Sequence, residues 1–131
     1  MDYGRYKCFH VRKEGKVGVF TVDHPETENR FDAILHHELE AIWKDIAADD
    51  EINVAVLTGT GSHFMGGMDP QFIARVLLQH DRSQPPITQQ GARHLLHNLL
   101  DVEKPIVAAV NGPAVSLGAN VALFCDIVIA S

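Results

Sequence analysis

Pro105-Ile106-Val107-Ala108-Ala109-Val110-Asn111-Gly112-Pro113-Ala114-Val115-Ser116-Leu117-Gly118-Ala119-Asn120 holds an apolar run, a turn and the start of a helix. The apolar residues of Pro105–Val110 are continuous rather than alternating, which predicts a parallel strand buried on both faces. Asn111-Gly112-Pro113 reads as a turn and Leu117–Phe124 as a short helix. The same order occurs upstream. Asn53–Leu57 is a second apolar, β-branched run, Thr58-Gly59-Thr60-Gly61-Ser62 is a loop, and Asp69-Pro70 starts a helix, with an acid as N-cap and proline at the first helical position. Each of two glycine turns, Phe64-Met65-Gly66-Gly67-Met68-Asp69 and Asn111 to Asn120, thus follows a strand and leads into a helix. In a parallel sheet both lie at the carboxyl ends of strands, on the edge where open α/β sheets bind ligands. Glycine allows close backbone approach, and helix starts leave N–H groups unpaired. Two such turns side by side can aim two amides at one oxygen, as in an oxyanion hole. On spacing alone, glycines serve equally well as packing devices. A phosphate cradle is disfavoured, since no Lys-Ser/Thr follows the glycines and no Gly-x-Gly-x-x-Gly opens a helix.

Working outward, Cys8–Arg12 and Lys16–Val22 read as a hairpin joined by Lys13-Glu14-Gly15. Pro25 then breaks the chain. Leu35, Leu39, Ile42 and Ile46 form one stripe of a helix over Phe31–Ala48, with Asp32 as N-cap. A helix runs from Asp69-Pro70 to about Gln79, His80–Pro86 is a connection, and Ile87–Val102 is helical with a stripe of Leu95, Leu96, Leu99 and Leu100. Asp126–Ala130 is a third buried strand. The order β-β-α-β-α-α-β-α-β predicts an α/β protein with a parallel sheet. The last apolar strand ends at Ser131 with little sequence left to cover it. That favours half of a longer domain, or cover by a partner subunit.

The chain has 131 residues, 11 Lys+Arg and 17 Asp+Glu, for a net charge of −6. That length predicts one domain burying roughly 70% of its unfolded surface. The acidic balance argues against nucleic acid as a partner. Apolar runs reach only about five residues, too short to span a membrane. Met1–Lys7 is charged, which predicts a loose leader rather than a signal peptide. Cys8 and Cys125 are expected to be reduced, buried thiols, consistent with a cytoplasmic setting. Eight histidines would take the charge from −6 to +2 if all were protonated. His94 and His97 lack a third ligand at diagnostic spacing, and His36-His37-Glu38 is not a His-Glu-x-x-His motif, so no metal is expected. His63 adjoins the first glycine turn. Ser116 lacks a nucleophile-elbow context.

Leu57 to Asp69 resembles the first signature of the crotonase (enoyl-CoA hydratase/isomerase) superfamily. Lys104 to Ala114 and Cys125-Asp126-Ile127-Val128-Ile129-Ala130-Ser131 resemble its second. The resemblance covers residues 8–131 and implies the N-terminal half of a spiral of ββα units, truncated and lacking the C-terminal helical region used for trimerisation. It further implies an acyl-CoA partner, with coenzyme A as part of the substrate and no separate cofactor, and a homo-oligomer, trimer or hexamer.

By the same resemblance, the backbone amides of Met68 and Leu117 would hold a thioester oxygen and stabilise its enolate. Asn120 stands where a hydratase of the family carries a glutamate, and an amide is no general base. The second family glutamate would lie beyond Ser131. Asn29, Arg30, Gly66, Gly67, Asp69 and Gly118 are the implied substrate-binding positions, Arg30 toward a CoA phosphate. The implied reaction is hydration, isomerisation or, since Asn120 replaces the glutamate, C–C (diketone) cleavage. The alternatives are a catalytically silent binding or assembly module and a truncated fragment.

Overall fold

In a computed structural model, residues 1–79 and 87–131 are described. The expected connection His80–Pro86 lies outside them. Strands β1 (Phe9–Glu14) and β2 (Val17–Val22) form an antiparallel hairpin. Its turn is Gly15-Lys16, with Gly15 at φ 59°, so β1 continues two residues past the expected Arg12. Helix α1 (Ala33–Ala48) begins after Asp32, whose carboxylate accepts from the amides of Ile34 and Leu35 at 2.9 and 2.8 Å. Then follow β3 (Val54–Gly59), α2 (Pro70–Gln79), α3 (Ile87–Leu100), β4 (Ile106–Val110), α4 (Leu117–Phe124) and β5 (Ile127–Ala130). The sheet order is β1-β2-β3-β4-β5, with every pair after the hairpin parallel.

Register explains where the core sits. Phe20 pairs with Leu57 and Leu57 with Ala108, while Ala55 pairs with Ile106, and all of these are buried. They form one face of the sheet, under the α1 stripe of Leu35, Leu39, Ile42 and Ile46, each fully buried. The opposite face, including Val19, Val56 and Val107, is only half-buried. The strands therefore alternate, contrary to the two-sided burial expected of them, because one face is left partly open among the described residues. The departure is largest at β5, where Ile127, Val128 and Ile129 are exposed. The accessible surface is 7296 Å², against about 6,800 Å² for a folded monomer of this mass. Asp126 at the start of this edge accepts from the Ile106 amide at 2.7 Å, which ties β5 to β4.

The loose leader expected for residues 1–7 is not what is observed. Tyr3 and Tyr6 are buried. The Tyr6 hydroxyl donates to Asp45 at 2.6 Å, and Glu38 accepts from the amides of Lys7 and Cys8, both at 2.8 Å. Tyr3 donates to Asp49 at 2.9 Å. Both cysteines are free and buried, and burial pushes each thiol up to about 12, so both are inert as nucleophiles near neutrality.

Burial alone would raise the Asp49 carboxyl, but Lys13, the Glu51 amide and the Tyr3 hydroxyl outweigh it and hold it at about 2. A carboxylate depressed in the folded state contributes stability above its unfolded pKa and loses it as pH falls toward its folded one. Asp49→Ala is therefore expected to cost about 2 kcal/mol at pH 7. Urea titrations should show that difference shrinking between about pH 4 and pH 2; a constant difference across that range would contradict the assignment.

Candidate functional site

The two glycine turns meet. Met65 bridges to Ala114, with the Val115 amide donating to the Met65 carbonyl at 2.9 Å and the Phe64 amide to Pro113 at 3.1 Å. Gly118 packs so closely that a Cβ there would stand 2.6 Å from Met65 Cβ and 2.7 Å from its carbonyl oxygen. Gly67 is at φ 88°, and a Cβ there would come 3.3 Å from Val115. The expected convergence on one rim of the sheet is therefore present.

Backbone pairing directs the first amide. The Phe31 amide donates to the Gly67 carbonyl at 2.7 Å and the Asp69 amide to the Phe31 carbonyl at 2.8 Å. These bonds flank Met68, so its own N–H points away from Phe31. The second amide is freed by a tight turn. Ser116 has φ 53° and ψ −117°, and the Gly118 amide donates to the Val115 carbonyl at 2.9 Å. That is a type II′ turn, whose first central position favours glycine. A serine there costs of order 1–3 kcal/mol, and its side chain makes no capping bond. Leu117 is the first residue of α4, where no intrahelical acceptor exists for its N–H. Among the described residues, neither the Met68 nor the Leu117 amide has an acceptor within the protein.

Both residues line one cavity of about 320 Å³, together with Asn120. The three residues singled out by sequence as catalytic are thus brought together. Ile73 and Leu77 of α2 and Ala92 of α3 make the walls apolar, and Ser116 completes the rim. His36 of α1 also reaches the cavity. Sequence reading missed it, because it sits beside the buried Leu35 and its partners come from α2 and α3, far along the chain.

The expected substrate-binding positions fare differently. Gly67 and Gly118 shape the two turns, as above. Gly66 is held by packing, since a Cβ there would stand 2.6 Å from the Glu28 carbonyl. Asn29 is fully buried, and its side chain is consumed by the protein. It accepts from the His24 amide at 2.9 Å and donates to the carbonyls of Thr60 and His63, both at 2.9 Å. It therefore offers no free polar atom to a substrate. Arg30 pairs with Glu28 at 2.6 Å and lines a separate hollow with Glu26, Glu28 and Asp69. Three carboxylates around one guanidinium make a poor phosphate site, which corrects the expectation for Arg30. Its pairing holds the Glu28 carboxyl below the usual range. Asp69 caps α2, accepting from the Phe72 amide at 2.8 Å. His63 bonds Ser62 at 2.9 Å and stays outside the cavity.

Comparison with known proteins agrees with this architecture. A family model described as Enoyl-CoA hydratase/isomerase matches residues 12–131. A putative enoyl-CoA hydratase of Thermus thermophilus is 36% identical over 127 residues, covering 89% of this chain and 46% of that protein. The crystal structure of an enoyl-CoA hydratase/isomerase from Mycobacterium paratuberculosis superposes with a TM-score of 0.84 at 31% identity, over 96% of this chain and 50% of that one. A putative enoyl CoA hydratase/isomerase (crotonase) from Legionella pneumophila gives 0.85 at 27% identity, over 94% and 47%. The chain spans about half the length of these relatives. With the fold, the paired turns and this match over most of its length, the chain belongs to the enoyl-CoA hydratase/isomerase family and carries part of the crotonase fold.

Proposed function

We propose that the cavity between the two glycine turns binds an acyl-CoA thioester, with its carbonyl oxygen between the N–H groups of Met68 and Leu117. The observation that carries this reading is the pair of amides, each without an acceptor among the described residues, on adjoining turns that line one apolar cavity. Charge developing on a thioester oxygen during enolate formation would meet two fixed dipoles. The amino end of α4 adds its partial positive charge. Asn120 is placed to hydrogen-bond a substrate or a water rather than to ionise. The activity follows the family's enolate chemistry: hydration, isomerisation or C–C cleavage.

The carbonyl itself supplies the test. Crotonyl-CoA should bind in a calorimetric titration. S-crotyl-CoA, in which CH₂ replaces the carbonyl, should bind about 10-fold to 100-fold more weakly, the equivalent of two lost hydrogen bonds. Equal affinity would remove the two-amide role, and no heat at millimolar ligand would remove the thioester reading altogether. A silent binding module is the rival that Asn120 favours. It predicts the same affinities and no turnover of crotonyl-CoA.

A further inference from the structure

We propose that His36 is the proton-transferring residue of this cavity, taking a proton from the carbon beside the bound thioester carbonyl; the proposal rests on the acyl-CoA reading above. Enolate formation needs a base, and Asn120 is none. The other described residues lining the cavity are Met68, Ile73, Leu77, Ala92, Ser116, Leu117 and Asn120, so His36 is the one ionisable group among them near neutral pH.

Its position is built by the surrounding helices. Gly91 lies inside α3, where glycine costs about 1 kcal/mol relative to alanine. A Cβ on Gly91 would stand 2.7 Å from His36 Cε1 and 2.9 Å from Nε2, so the imidazole occupies the room a side chain would need. On the α2 side the His36 ring faces Phe72, with ring centres 6.5 Å apart. Burial lowers the imidazole pKa below its ordinary value. Glu40 opposes that shift and His37 adds to it. Those two groups lie on α1 itself, while α2 presents Phe72 and α3 presents Gly91, neither of them titratable. A neutral imidazole is thus available at neutral pH as a proton acceptor.

The step balances without a further reactant. The C–H bond breaks and its proton goes to an imidazole nitrogen. The bonding pair becomes the new carbon–carbon double bond, and the carbonyl pair moves onto oxygen, facing the Met68 and Leu117 N–H groups. Reversal returns a proton that has exchanged with solvent, so the ester is unchanged except for isotope.

Exchange in heavy water reads this step. The chain is expected to catalyse deuterium incorporation at the α-carbon of butyryl-CoA, followed by proton NMR. The rate should rise with pH to a plateau above the lowered imidazole pKa. His36→Gln should slow exchange at least about 100-fold, with butyryl-CoA affinity by calorimetry changed less than about threefold. His10→Gln, at an exposed position on β1 and outside the cavity, should leave exchange within about twofold. If His36→Gln loses affinity as well, His36→Ala with added imidazole decides. Recovered exchange supports the proposal, and no recovery overturns it. Butyryl-CoA bound by the unaltered chain without exchange, or exchange untouched by His36→Gln, overturns the role of His36 and leaves the thioester reading standing. No butyryl-CoA binding at millimolar concentration overturns both.

Discussion

Gly118→Ala is expected to destabilise the chain by about 3 kcal/mol, although it adds one methyl group and improves helix propensity. The added carbon would stand 2.6 Å from Met65 Cβ and 2.7 Å from the Met65 carbonyl oxygen. A flexible side chain could yield, but the carbonyl cannot swing aside cheaply, because it already accepts from the Val115 amide at 2.9 Å. Helix α4 would have to move away from the first turn. That movement separates the Leu117 amide from the Met68 amide, so the variant should bind crotonyl-CoA poorly even where it remains folded. Urea unfolding gives the stability and calorimetry the affinity. A loss below about 0.5 kcal/mol would mean that the two turns are not packed as described.

Gly118 also shows what could be read in advance. The strand–turn–helix pattern located both glycine turns and placed them on one rim, since it depends only on local periodicity and on the parallel order of strands. The α1 stripe and the Asp32 cap were legible for the same reason. What a glycine does at a rim was not legible. Gly66 and Gly118 were expected to face substrate, yet packing against Glu28 and Met65 suffices to require them. Ser116 holds a glycine-type conformation although the residue itself is no glycine. Other features depend on partners distant in sequence. Tyr3 finds Asp49 and Tyr6 finds Asp45, contacts that no local reading of residues 1–7 supplies. His36 gains its meaning from Phe72 and Gly91 on other helices. For β5 the error has the opposite cause. Its composition suits a buried strand, and burial depends on cover that residues 127–130 do not encode.

Asn29→Ala separates a structural role from a ligand role, and it is expected to cost about 3 kcal/mol. The side chain spans three segments. Its oxygen holds the His24 amide, and its nitrogen holds the carbonyls of Thr60 and His63, all at 2.9 Å, with Phe64 at 3.4 Å. Alanine would remove the partner that all of these groups share at a fully buried side-chain position. The backbone adds to the loss. Asn29 has φ 54°, a left-handed conformation that asparagine tolerates better than alanine. Through Thr60, His63 and Phe64 this bracket fixes the path of the chain into Met65 to Met68, and so the direction of the Met68 amide. The expected pattern is a large fall in unfolding free energy with weaker crotonyl-CoA binding as its consequence. A substrate contact would give the reverse, a raised Kd at unchanged stability. That outcome would return Asn29 to the binding site and show that its four hydrogen bonds do not hold the loop.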